Sequence, residues 1–217
     1  MPKVRVNCVS VSLDGFSAGP NQDLNNPAGV GGFALFQWFF PTRAFQQMHG
    51  KGVGETGIDN DWAEKGMAGI GAWILGRNMF GPVRGPWPDE NWKGWWGDNP
   101  VYHVPVFVLT HHPRQSITMA GGTTFHFVTE GIQVALQRAK EAAGDLDVRI
   151  GGGPATIRQY LKAQLIDSMH LAISPALLGA GEKLLDGINL PDLGYQVASH
   201  AVSASVMHVV IAKNPKT

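Results

Sequence analysis

Four times along this chain a short strand-like run stops abruptly at polar or glycine residues, and this recurrence constrains the fold more than any other feature. Ala72–Leu75 stops at Gly76-Arg77, Val106–Leu109 at Thr110-His111, Phe125–Val128 at Thr129, and Asp147–Ile150 at Gly151-Gly152-Gly153. Runs of this length and composition read as strands. Between and after the last two lie helical patterns. Ile132, Ala135, Leu136, Ala139 and Ala143 share one face of a helix, and residues 154–164 form a second, with proline in the first turn, where a missing N–H costs little. An earlier helix over 59–69 carries Asp59, Asp61 and Glu64 near its start, where the helix dipole favours acids.

The two ends of the chain behave differently. Residues 4–13 alternate as a first strand that ends at Asp14-Gly15, and 167–174 alternate again. Segments 195–203 and 205–212 are joined too tightly for a crossover, so they pair antiparallel. The expected architecture is α/β: a mixed, mostly parallel sheet between helices on both faces, three layers in all, with antiparallel C-terminal strands. With neither a repeat nor a linker, residues 1–217 are expected to form one domain. Loops are expected at 17–32, 49–58 and 175–187, and the aromatic run 33–40 as a short helix or a lid over a cleft. Segment 81–104 holds Pro82, Pro86, Pro88 and Pro100 with Trp87, Trp92, Trp95 and Trp96, an irregular but packed excursion.

Charge and composition remove several functions. Seventeen Lys and Arg balance seventeen Asp and Glu, so the chain lacks the basic footprint of a nucleic-acid binder. Without that charge the tryptophans read as core or subunit contacts rather than base-stacking platforms. The one cysteine, Cys8, lies in an apolar run and reads as a buried, inert thiol. Adjacent His111 and His112 on a strand end point opposite ways and find no completing cluster, so no metal is expected. No Gly-x-Ser-x-Gly elbow marks a serine hydrolase. The N-terminal stretch has no apolar leader and no 18-residue apolar run follows, so a cytoplasmic location is expected.

The strand–Gly151-Gly152-Gly153–helix junction is the sharpest candidate site. Its glycines allow a ligand close to the backbone, and the N–H groups of the following helix favour an anion such as a pyrophosphate. A packing turn that binds nothing would look the same in sequence. The triplet is neither a P-loop nor the Rossmann fingerprint, for it lacks the Lys-Ser/Thr pair and the third spaced glycine. Its company strengthens it: Gly76-Arg77 and Thr110-His111 also end strands, and ligands of open α/β sheets gather at the carboxyl ends of strands.

Taken in order, SLDGF (12–16), ILGRNMF (74–80), PVFVLTHHPR (105–114), FVTEGIQVAL (127–136), VRIGGGPATIRQYL (148–161), LIDSMHL (165–171) and SPALLGAGEKLL (174–185) resemble the dihydrofolate-reductase-like superfamily. The resemblance is closest to the reductase domain of the riboflavin-biosynthesis deaminase-reductase and runs nearly the whole chain. It implies an NADPH-dependent reductase, homodimeric, acting on a C=N or C=O of a small pyrimidine- or pterin-like compound. It assigns Arg77, Thr110 and His111, after Gly76, to the adenosine 2′-phosphate side. Gly151, Gly152 and Gly153, with Ala155 and Thr156, fall around the pyrophosphate and nicotinamide. Leu178, Gly179, Ala180 and Gly181 resemble the loop bordering the substrate, and Asp14 the polar catalytic group facing it.

Three departures accompany the resemblance. Met79 stands where a pyrophosphate-binding threonine is usual, and Pro154 where many relatives have arginine. Residues 33–48 hold no acid, which counts against folate as substrate. No His/Cys/Cys zinc set for a fused deaminase is present, so a stand-alone reductase is expected. Two alternatives remain open at this stage: a non-catalytic nucleotide-binding protein that keeps the NADPH pocket, and a dimeric scaffold whose glycine junction binds nothing.

Overall fold

The computed structural model describes residues 2–82, 84–89 and 91–214. In chain order its first half holds β1 (Val4–Ser12), β2 (Phe16–Ala18), α1 (Arg43–Met48), α2 (Ile58–Met67), β3 (Ile70–Gly76), α3 (Arg77–Phe80) and β4 (Pro105–Leu109). There follow β5 (Ile117–Thr118), β6 (Thr124–Val128), α4 (Ile132–Ala143), β7 (Asp147–Ile150) and α5 (Pro154–Lys162). The chain ends with β8 (Ser168–Ser174), β9 (Glu182–Lys183), β10 (Tyr195–Val202) and β11 (Met207–Lys213). It divides into two compact units, residues 1–5 with 69–165 and residues 6–68 with 166–217.

The first unit is the parallel part. Its strands run in the order β1-β7-β3-β4-β6-β5, where β1 contributes only its opening residues, Val4 beside Val148 and Arg5 beside Arg149. Only the two-residue β5 runs antiparallel, against β6. Val106, Val108, Val148 and Ile150 are buried, as expected of strands covered on both faces. Helix α4 lies over β3, β4 and β7, and its Ala135, Ala139 and Ala143 are small enough for close approach. Helix α5 buries Ile157, Tyr160 and Leu161. The Tyr160 hydroxyl donates to the Ile132 carbonyl at 2.8 Å, tying α5 to the start of α4. Burial pushes this phenol far above its ordinary range, so at neutral pH it is always a donor.

The second unit is the antiparallel part, with strand order β10-β11-β8-β1. Residues 195–202 face 213–207 in reverse, and β11 pairs with β8 so that His208 opposes Ala172 and Val210 opposes His170. Trp38, Ala44, Ala63, Ala172 and Val206 form a core cluster there. A small second ladder joins β2 to β9.

The fold class expected from the sequence is the one observed: a mixed, mostly parallel sheet flanked by helices, with antiparallel C-terminal strands. Local departures are small. β2 takes the first residues of the expected 17–32 loop, and β9 forms inside the expected 175–187 loop. The 33–40 run opens with a short 3-10 helix over Gly32–Phe36, in keeping with the short helix expected there. Cys8 is half-buried rather than buried, with φ +56 in the middle of β1. Within segment 81–104, Val83 and Glu90 lie outside the described residues. Among the described residues no helix is long and apolar enough to cross a membrane.

Candidate functional site

The candidate residues fall into two sets, one in each unit, and each set is built locally. In the first unit the carboxyl ends of β3 and β7 meet. The Gly76 N–H donates to the Gly152 carbonyl at 2.7 Å, and the Gly151 N–H to the Ile74 carbonyl at 2.9 Å. Gly76 has extended backbone, open to any residue, yet a Cβ there would collide with Thr156 Oγ1 and lie 3.3 Å from the Gly153 nitrogen. Gly151 is confined in the same way, since a Cβ would press on the side chains of Leu75 and Trp73. Gly152 takes φ +110, a conformation that suits glycine and strains other residues. The Gly152–Gly153 peptide is cis. Gly153 then caps α5, so the N–H groups of Ala155 and Thr156 belong to the first helical turn, which has no intrahelical acceptors. Ala155 is exposed and Thr156 buried. The structure thus brings Gly76, Gly151, Gly152, Gly153 and Thr156 together.

Met79 lies against this turn, its Sδ 3.6 Å from where a Cβ on Gly152 would be. A thioether cannot donate a hydrogen bond to a phosphate as a threonine hydroxyl would.

Arg77 opens α3 immediately after β3. Its guanidinium carbon lies 3.2 Å over the Trp87 ring, and Nη1 donates to the Gly85 carbonyl at 3.3 Å. Its Nε is buried with no hydrogen-bond partner. Burial, and secondarily the neighbouring Arg114 charge, lower its pKa from the usual arginine value. Arg114 lies 4.8 Å from the Trp87 ring and within 5.7 Å of those of Phe80 and Phe127. Trp87 is fixed by its Nε1–H, which donates to the His112 carbonyl at 2.9 Å. Two cations therefore share one indole. Sequence reasoning had Arg77 but missed Arg114 and the packing role of Trp87; the quoted PVFVLTHHPR stretch contained Arg114 without a reason to single it out.

The Thr110-His111 pair is less engaged. Thr110 is buried, and its hydroxyl bonds within its own turn, accepting from the His112 N–H at 3.1 Å. The His111 side chain is exposed. Neither residue has a hydrogen bond that ties it to Arg77.

In the second unit Asp14 follows the end of β1 and is held by three donors. The Ser12 hydroxyl donates to Oδ1, the Leu178 N–H to Oδ1 at 3.2 Å, and the Gly179 N–H to Oδ2 at 2.7 Å. Ser12 in turn accepts from the Phe16 N–H at 2.9 Å. These bonds, that of Ser12 foremost, hold the carboxyl below the ordinary aspartate range, so it is ionised at neutral pH. Gly181 closes the same loop, where a Cβ would collide with the Ala18 carbonyl. Asp14, Leu178 and Gly179 thus form one corner, with Gly181 two residues further along the loop, and Ser12 is the member that sequence reasoning missed. Such a carboxylate can accept a hydrogen bond or orient a polar group; as a proton donor near pH 7 it is poor. Among the described residues no cluster of His, Cys, Asp or Glu is suited to a metal.

Comparison with known proteins comes to the same architecture. The sequence profile of the RibD C-terminal domain matches residues 2–209. No curated protein matches. A putative riboflavin biosynthesis protein from Shewanella sp. PV-4 is 20% identical with a TM-score of 0.59, over 99% of both chains. The diaminohydroxyphosphoribosylaminopyrimidine deaminase/5-amino-6-(5-phosphoribosylamino)uracil reductase of Thermotoga maritima is 12% identical, TM-score 0.55, over 98% of this chain and 57% of its own. Dihydrofolate reductase from Enterococcus faecalis, complexed with NADP(H), is 12% identical, TM-score 0.52, over 98% and 96%. At these identities the likeness establishes a dihydrofolate-reductase-like fold.

Proposed function

This chain belongs to the RibD C-terminal domain family, and on that premise we propose that it is an NADPH-dependent reductase acting on a small pyrimidine- or pterin-like substrate of the riboflavin-pathway type. The observation that carries this reading is the meeting of Gly76, Gly152, Gly153 and Thr156 at the start of α5, one residue from Arg77. Two features fit a dinucleotide phosphate there. Gly152 holds φ +110, a backbone conformation that favours glycine, and the Arg77 Nε is a buried donor with no partner.

NADPH, when bound, supplies a hydride from nicotinamide C4, and the chemistry of transfer is the cofactor's own. The chain binds and orients. Arg77 holds the 2′-phosphate, with Thr110 and His111 on the same adenosine side. The N–H groups of Ala155 and Thr156 receive the pyrophosphate, and the glycines admit it close to the backbone. Asp14, ionised, accepts a hydrogen bond from a substrate N–H or O–H and fixes the C=N or C=O bond to be reduced, while Leu178, Gly179 and Gly181 shape the loop that holds Asp14. Residues 1–217 act as one functional domain, cytoplasmic and as a homodimer.

A second reading, a nucleotide-binding protein without turnover, draws on Met79 at the glycine turn. The two separate by following NADPH absorbance with a panel of aminopyrimidine, pterin and flavin substrates. Turnover with a member of the panel, lost in Asp14→Ala while NADPH still binds, supports the reductase. Saturable NADPH binding with no oxidation across the panel refutes it in favour of the binder.

A further inference from the structure

Two buried histidines of the second unit have no part in the reaction above. His170 on β8 and His208 on β11 are 4% and 0% exposed. They form the middle of a hydrogen-bond chain whose direction can be read from one fixed donor. The backbone N–H of Cys8 points at His170 Nδ1, 3.2 Å away. An N–H can only donate, so Nδ1 is an acceptor, and the proton of a neutral His170 must be on Nε2. His170 Nε2 lies 3.0 Å from His208 Nδ1, which must therefore accept. The His208 proton is then on Nε2, 2.8 Å from Asp59 Oδ1 on α2. Every proton runs one way, from the β1 backbone to the Asp59 carboxylate.

The chain has room for no further proton. Protonated His208 would carry N–H on both nitrogens, and His170 could accept from it only by moving its own proton to Nδ1. That proton would face the Cys8 N–H. The closed chain and a protonated pair exclude each other, whatever their surroundings.

The surroundings point the same way. Trp62 stacks on both imidazoles, at 4.3 Å from His170 and 5.5 Å from His208, and Trp38 meets His208 edge-on at 5.2 Å. Among the described residues, neighbouring elements bring the following charged and titratable groups. From α2 come Asp59 and Lys65, the latter 4.8 Å over the Trp62 ring. From β1 comes Cys8, whose thiol donates to the Trp62 carbonyl at 3.5 Å. From α1 comes Arg43, paired to Glu64 at 2.7 Å, and β10 supplies the exposed His200, opposite Val209. Burial lowers the His208 pKa, against the pull of Asp59.

The far end of the chain is a special point of the backbone. Cys8 has φ +56, a left-handed conformation that a non-glycine residue keeps only when its surroundings hold it. Beyond this kink, Ser10 accepts from the Trp38 indole at 2.9 Å and Ser12 donates to Asp14. A kink in a strand re-aims the side chains that follow it. We propose that Asp59, His208 and His170 are positioning residues: a one-way hydrogen-bond chain that locks the β1 kink at Cys8 and, by opening when protonated, makes the Asp14 corner acid-sensitive.

The test needs neither cofactor nor substrate, so its failure is distinct from failure of the reductase reading. Long-range 15N–1H correlation on the intact protein near pH 7.5 should show both histidines as Nε2–H tautomers. Either one as Nδ1–H overturns the proposal. As pH falls, the amides of Cys8, Leu178 and Gly179 should shift with one common midpoint below the ordinary histidine range. Hydrogen-exchange protection at Cys8 should drop by about tenfold or more across that step. His208→Gln, whose amide can accept from His170 and donate to Asp59 without titrating, should abolish the common step and leave only the lower titration of Asp14. A Cys8 step without Leu178 and Gly179, or its persistence in His208→Gln, overturns the lock. If that variant does not fold, the tautomers and the three amides of the wild-type chain decide.

Discussion

Replacing Gly76 by alanine probes the β3–β7 junction with a single methyl group. The backbone there, φ −75 and ψ 158, suits alanine, so the effect is steric and not conformational. The added Cβ meets the Thr156 Oγ1 inside contact distance, with the Gly153 nitrogen 3.3 Å away and the Gly152 carbonyl oxygen 3.5 Å away. Thr156 is buried and sits on the first turn of α5, so it cannot swing clear without moving the helix start. Overpacking of this kind costs about 1–3 kcal/mol. For a chain of this size that is a fall of about 2–12 °C in Tm. The diagnostic is compensation. Thr156→Ala removes the colliding oxygen, so the double variant should recover all but about 1 kcal/mol of the Gly76→Ala loss, a coupling expected only of residues in contact. Thr156→Val, which keeps the volume, should recover nothing. Thermal unfolding of the four variants decides, with NADPH titration showing whether the cofactor side is lost in parallel. A Gly76→Ala cost within about 0.5 kcal/mol, or strict additivity with Thr156→Ala, would falsify the contact.

Arg77→Ala should weaken NADPH binding by about 10- to 150-fold, the equivalent of one charge-assisted bond of 1.5–3 kcal/mol, with NADH little changed; equal weakening of both, by calorimetry, removes Arg77 from the 2′-phosphate. Tyr160→Phe should cost about 1–2 kcal/mol in urea unfolding, through the lost bond to the Ile132 carbonyl, and leave NADPH affinity untouched. The lowered pKa of Asp14 stabilises the fold above the ordinary carboxylate range and is lost as pH falls through the folded-state value, so Asp14→Asn should flatten the acid end of the stability curve; an unchanged curve would count against the Ser12–Asp14–Gly179 bonds. For His208 the folded pKa is also lowered but the group is a base, so the unfolded chain takes up a proton near pH 6.5 that the folded chain refuses, and stability should fall as pH drops below about 6.5 in wild type but not in His208→Gln.

Much of the parallel half was legible because its signals are local. Short strands ending at Gly76, Thr110 and Gly151, and the periodic face of α4, need no knowledge of distant residues. What escaped depends on distant partners. Helix α1 has six residues, too few for a period, and is held by the Ala44 N–H on Asn60 Oδ1 and by Arg43 on Glu64. Strands β5 and β9 have two residues each, below any alternation. The kink at Cys8 lies in an unbroken alternating run, VRVNCVSVS, without Gly or Pro to mark it, and its hydrogen-bond partner His170 lies 162 residues away. In the site, Arg77 was legible from its place after a strand, whereas Trp87 reached it through an irregular excursion with no period to read. The His170–His208 contact is set by the register of β8 with β11, which sequence spacing does not reveal.

The central claim is that the glycine junction and Arg77 form a site for NADPH, and calorimetric titration of the intact protein tests it most directly. Saturable binding of one NADPH per chain is predicted, with NADH at least about tenfold weaker from loss of the 2′-phosphate contact. Absence of saturable NADPH binding, or equal affinity for the two nucleotides, would contradict it.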